Sequence, residues 1–229
     1  MSGPGARVGG GRGARGEDDG GELADLLAPR PVTDREVVFS GAVWDVASEH
    51  VDLGGDEPVQ RDKVVHPGAV GILALDEQDR VLLLRQYRHP VRHELWEVPA
   101  GLLDEEGEAP QDAAARELRE EADLVAGRYD VLAEWYSSPG GSDEALRVYL
   151  ARDLSPVDEE DRFEREHEEA QMLTRWVPLD EARDAVLAGR LHNPTAVVAI
   201  LAAAASRAQG WASLRPADAP WPAFDDRRD

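Results

Sequence analysis

No cysteine occurs in the 229 residues. That excludes a disulfide framework, a thiolate metal site and a catalytic thiol. No apolar run approaches ~20 unbroken residues, so a membrane span is not expected. Cations are scarce too: 25 Lys and Arg against 47 Asp and Glu leave a formal net charge of −22. A nucleic-acid-binding surface should show a basic patch, and this balance argues against one. The acidity favours solubility and repels polyanions at long range. Arg7, Arg12 and Arg15 make the start basic, but no apolar core of a secretory signal follows them. The expected location is the cytoplasm. No internal repeat is visible. What remains is 42% hydrophobic content, fitting a soluble globular protein of one ordinary domain with a sizeable core.

Residues 1–35 are rich in Gly, Arg and Asp, with few apolar residues beyond Leu23, Leu26, Leu27 and Ala28. They read as a disordered arm. From Glu36 the pattern turns to strands. Val37–Phe39 and Ala42–Val51 suit a hairpin about Ser40-Gly41, and Asp62–His66 reads as another strand. Val70–Leu75 and Val81–Leu84 are almost continuously apolar, as sheet strands buried on both faces are. Strands are also expected at Tyr129–Trp135, Glu144–Ala151 and Gln171–Val177, and helices at Leu179–Ala188 and Ala196–Ala208. A long acidic connection covers 153–169, and residues 210–229, with Pro216, Pro220 and Pro222, read as a tail. The mixture is α+β.

The chemistry is densest between Ala100 and Leu124. Gly107-Glu108-Ala109-Pro110 sets a helix start, with Pro110 suited to the first turn. Ala114, Leu118 and Ala122 recur every four residues, a small apolar stripe that can lie close against a sheet. Glu117, Glu120 and Glu121 stand at i, i+3 and i+4, which puts three carboxylates on one side of less than two turns. Clustered like charges destabilise a helix unless a cation offsets them. Arg116 and Arg119 can do part of this, and composition alone favours a solvated, salt-bridged face. The alternative is a hard divalent cation, for which carboxylates and a main-chain carbonyl are suitable oxygen ligands.

This stretch resembles the Nudix box, with Gly101, Glu108, Arg116, Glu117, Leu118, Glu120, Glu121 and Leu124 at matching positions. Two places depart from the pattern. Six residues rather than five separate Gly101 from Glu108, an insertion ahead of the helix. Asp123 replaces the second glycine where the chain leaves the helix, a place for positive φ that Asp tolerates better than most residues. The resemblance implies a Nudix α/β/α sandwich with a mixed sheet over residues 36–209, led by antiparallel strands at 36–66. It also implies hydrolysis of a nucleoside diphosphate linked to another group, with a divalent metal.

Three further stretches resemble ADP-ribose pyrophosphatases, especially the actinobacterial type. They are Leu84–Pro90 running into Glu94–Gly101, His66–Val70, and Ser138–Glu144, whose Pro139 lies sixteen residues after Asp123. The six-residue spacing in the box also looks like that subgroup. Carried over residue by residue, the resemblance implies Mg²⁺, or Mn²⁺ in its place, bound by the Ala100 carbonyl, Glu117 and Glu121. Glu120 is a further ligand or a support for the cluster. Arg116 would hold the box together through Glu108 or Glu120, and Arg61 and Arg88 would contact the substrate. Glu144 would approach the ribose or a water on the metal; a plain surface carboxylate is the alternative. The general base would be Glu169, or its neighbour Glu168, on a loop that is otherwise an acidic flexible connection. Such proteins form homodimers through their N-terminal strands. The expected reaction converts ADP-ribose to AMP and ribose 5-phosphate. Alternatives are another nucleoside diphosphate sugar or a dinucleotide as substrate, or a non-catalytic nucleotide-binding module.

Overall fold

The computed structural model describes residues 22–163 and 172–225. Its first three strands, β1 (Val32–Ser40), β2 (Asp45–Val51) and β3 (Val59–Val65), form an antiparallel sheet in that spatial order. β1 begins inside the stretch read as an arm, with Val32 opposite Val51. All nine of its residues are exposed, so backbone pairing rather than side-chain burial makes this segment a strand. β2 starts later than its alternation suggests, because Gly41 N–H donates to the Trp44 carbonyl and closes a turn first.

The next elements are β4 (Ala69–Ala74), β5 (Arg80–Arg88), β6 (His93–Glu97), β7 (Ala100–Leu102), α1 (Pro110–Ala122), β8 (Leu124–Tyr136) and β9 (Ala145–Pro156). After them come β10 (Leu173–Pro178), α2 (Leu179–Leu187), α3 (Pro194–Ala208), β11 (Arg215–Pro216) and α4 (Pro222–Asp225). The central sheet has the order β11-β8-β9-β4-β7, in which β4 and β9 run parallel and the other pairs antiparallel. A smaller antiparallel sheet has the order β10-β5-β6. β8 starts five residues before the expected Tyr129 and β9 runs on to Pro156. Their ladder, from Leu124↔Pro156 to Tyr136↔Ala145, extends into polar sequence once the two strands are aligned.

Successive side chains of a strand point to opposite faces, and the core follows that rule. Val70, Ile72, Tyr149 and Ala151 pack with Ala113, Ala114 and Leu118 of α1. Their neighbours Leu73, Val148 and Leu150 pack with Ala182 of α2 and Ala196, Ala199, Ile200 and Ala203 of α3. α1, with the short α4, therefore covers one face of the sheet and α2 and α3 the other, an α/β/α sandwich of the kind the resemblance implies. Among the described residues no helix is long and apolar enough to cross a membrane.

The stretch read as a C-terminal tail is part of the core. Trp221 and Phe224 are 3% and 4% exposed and belong to the cluster that backs α1. They are held there by Arg147, a β9 residue only 2% exposed. Its guanidinium donates to Glu134 at 2.7 Å and to the carbonyls of Ala219 and Pro220 at 2.9 and 3.1 Å. It also stacks 4.7 Å from the centre of the Trp221 ring. The chain turns after Pro216, where the Ala219 N–H donates to the Pro216 carbonyl, and Pro222 opens α4; Arg147 supplies donors for the carbonyls between them. Trp221→Ala should destabilise the protein by about 3 kcal/mol, as truncation of buried aromatics typically does. Urea unfolding is the measurement, and a loss under about 1 kcal/mol would show that the segment is not part of the cooperative core.

Candidate active site

α1 starts without a side-chain cap. Ala109 is its N-cap and Pro110 its first residue, where no N–H is required. It ends at Asp123, with φ 53° and ψ 37°, whose N–H donates to the carbonyls of Arg119 and Leu118. The left-handed conformation expected of the missing glycine is thus adopted by aspartate, and the helix ends where a glycine would end it. Burial of Ala113, Ala114 and Leu118 fixes the rotation of α1, and that rotation turns its glutamates toward β7.

Two contacts fasten the helix to β7. Glu121 Oε2 accepts the Ala100 N–H at 2.9 Å. Glu117 packs against Gly101 so closely that a Cβ there would lie 1.9 Å from Glu117 Oε1. A side chain at 101 would therefore displace the Glu117 carboxylate, so the glycine serves space rather than backbone conformation. Arg116 ties the remaining pieces. Its Nε and Nη2 donate to the two oxygens of Glu108, each at 3.0 Å. Its Nη1 donates to Glu117 at 2.6 Å and reaches Glu120 at 3.4 Å. Of the two expected partners Glu108 takes the bidentate bond and Glu120 the longest contact, while Glu117 is an addition. The hydrogen bonds with Arg116 hold the Glu108 carboxyl below its usual range, and those with Glu108 raise Arg116 further above its own. One guanidinium thus offsets three of the carboxylates that would otherwise repel one another.

Among the described residues no three His, Asp or Glu side chains are drawn together as a metal cage. Glu117 is bonded to Arg116 and Glu121 to the Ala100 N–H. The carboxylates of Glu117 and Glu121 nevertheless both lie against the Ala100-Gly101 segment, and carboxylates are the oxygen donors that a hard divalent cation takes.

β5 and β6 bring a second charged pair to the same place. Arg88 Nε and Nη2 donate to the two oxygens of Glu97 at 2.9 and 2.6 Å. Both line a small cleft with Gln86, Ala100 and Glu121. Arg88 was expected from the sequence as a substrate contact. Glu97 lies outside the residues the sequence points to; its local signal is a glutamate flanked by Trp96 and Val98.

A model of the NUDIX domain matches residues 65–197. The chain belongs to the Nudix family. An ADP-ribose pyrophosphatase of Mycobacterium tuberculosis is 43% identical over 186 residues, 81% of this chain and 88% of that protein. An ADP-ribose pyrophosphatase of Bacillus subtilis is 35% identical over 167 residues, 72% of this chain and 88% of that one. A crystal structure of an ADP compounds hydrolase matches with a TM-score of 0.66 at 22% identity, covering 82% of this chain and 99% of the other. At that identity the likeness concerns the fold, and it agrees with the Nudix sandwich.

Two further expected site residues of this Nudix chain, Arg61 and Glu144, are carried by other elements than the box. Arg61 is on β3, in the N-terminal sheet, and its Nη1 donates to the Gln60 carbonyl at 2.8 Å. Glu144 precedes β9 and faces His66, with Glu144 Oε1 and His66 Nε2 3.6 Å apart. The Gly68 N–H donates to His66 Nδ1 at 3.1 Å, so the ring presents Nε2–H to that carboxylate. Glu168 and Glu169 lie outside the described residues.

Proposed function

We propose that the protein hydrolyses the pyrophosphate of ADP-ribose to AMP and ribose 5-phosphate, using Mg²⁺ or, in its place, Mn²⁺. The observation that carries this is the close approach of Glu117 and Glu121 to Ala100 and Gly101, which supports reading them as the site of the divalent cation that Nudix hydrolases generally need. Its pairing with the Arg88 guanidinium beside it supplies an anion-binding partner. The similarity to two ADP-ribose pyrophosphatases over most of their length supports the choice of substrate.

In this reading the Ala100 carbonyl, Glu117 and Glu121 hold the cation, with Glu120 as a further ligand or support. The cation offsets charge on the phosphate oxygens and makes water more acidic. Arg116 keeps the carboxylates in place, and Arg88 holds the diphosphate. Water attacks one phosphorus, the bond to the bridging oxygen breaks, and Glu169, or Glu168, takes the proton. We infer further that two copies associate through β1–β3. Val37, Val38, Phe39, Val43 and Trp44 are exposed there, a patch of a kind that usually marks an interface. Association would also give Arg61 a role, carried on that sheet into the partner's pocket rather than its own.

A hydrolysis screen over nucleoside diphosphate derivatives, with and without Mg²⁺, tests the proposal. The expected result is metal-dependent release of AMP and ribose 5-phosphate, with the highest kcat/KM on ADP-ribose. A clearly higher value on another nucleoside diphosphate sugar would move the assignment to that substrate. Tight binding without hydrolysis would make this a nucleotide-binding module.

A further inference from the structure

We propose that Glu97 is a positioning residue that draws the Arg88 guanidinium back over the box and fixes its orientation for the diphosphate. This rests on the reading that Arg88 contacts substrate. In the β5–β6 pairing Arg88 stands opposite His93, at the turn end, whereas Glu97 stands opposite Leu84. Four residues separate those positions along the strand, roughly 13 Å at about 3.3 Å per residue. Both side chains are on one face, so the bond closes only because Arg88 folds back along the strand toward Ala100.

An arginine at the end of a hairpin has no apolar reason to lie inward. It has many rotamers, and its charge is best solvated away from the sheet. The buried carboxylate changes that balance. Glu97 is 4% exposed, and a buried carboxylate without a cation is costly, so the pair forms as a unit. The fork fixes the guanidinium plane as a single hydrogen bond would not. The Arg88 side chain is still 45% exposed, so it is accessible from solvent while its orientation is held from behind. Glu97 is also linked along the chain, through Val98 and Pro99, to Ala100 of the metal cluster. Its strand therefore sets the spacing between the anion-binding and cation-binding halves of the site.

The test is a double-mutant cycle with Glu97→Gln and Arg88→Ala in the full chain. It is read by kcat/KM on ADP-ribose and by calorimetric binding of ADP-ribose without added metal. Glu97→Gln keeps the size and one acceptor but loses the charge-assisted fork. It should lower kcat/KM and binding by about tenfold or more, and change either by under about twofold in the Arg88→Ala background. Thermal melts of each variant check folding, and Glu97→Asp serves if Glu97→Gln does not fold. A Glu97→Gln protein with wild-type binding and turnover would overturn the proposal. So would an equal loss in both backgrounds, since Glu97 would then act independently of Arg88. Absence of ADP-ribose hydrolysis by the wild type would instead refute the substrate assignment. The cycle would then be run on the nucleoside diphosphate sugar that the screen identifies, with the same criteria.

Discussion

Glu117→Gln and Glu121→Gln should each abolish most of the Mg²⁺-dependent hydrolysis while leaving the protein folded. Each replacement keeps the side-chain length and one oxygen but removes a charge from the proposed metal site. Loss of residues that merely support metal ligands typically costs ~10–100-fold, so loss of a ligand should reach at least about 10²-fold. Folding should survive for identifiable reasons. Arg116 retains its bidentate bond to Glu108 when Glu117 is changed. A glutamine at 121 can still accept the Ala100 N–H that Glu121 accepts now. Removing one of three clustered carboxylates also relieves repulsion on α1. The measurements are kcat/KM across a Mg²⁺ titration and a thermal melt in its absence. Wild-type turnover at ordinary Mg²⁺ in either variant would refute the ligand assignment. A collapsed melting temperature would show a structural role instead.

Glu169→Gln should lower kcat by ~10²–10⁴-fold, the usual range for general-base assistance, with little change in substrate affinity. Glu168→Gln should be milder, and the reverse order would exchange their roles. Both residues lie outside the described residues, so the expectation comes from their place in the sequence, after the long β9 strand, and from the resemblance it carries. The double variant separates the base from the metal ligands. It should still bind Mg²⁺ at the box, whereas Glu117→Gln should bind it more weakly. Steady-state kinetics and a metal titration on each variant decide the matter. If the double variant turns over ADP-ribose at the normal rate, the base is elsewhere. Glu144 is then the next candidate, a partly buried carboxylate 3.6 Å from His66 Nε2.

The sequence by itself was enough to place α1. Its start at Pro110, its apolar stripe and its end at Asp123 are signals that neighbours a few residues apart carry, and helical periodicity converts them directly into geometry. The buried strands β4 and β5 were legible for the same reason, because a run of apolar residues has no other place in a soluble fold. The box motif and the stretches around it were enough to name the carboxylates and Arg88 as candidates. The tertiary structure alone decided which of those charges meet. Arg116 could choose among several glutamates by spacing, and its fork to Glu108 depends on how the loop before α1 folds back. The reach from Arg88 to Glu97, the clearance at Gly101, and the burial of Trp221 and Phe224 all join segments far apart in the chain. Such contacts leave little local pattern, since a buried ion pair or a docked proline-rich segment is stable only once distant backbone supplies its partner. The polar first half of β1, Thr33 to Glu36, belongs with them, for a ladder of hydrogen bonds holds whatever side chains the neighbouring strand allows.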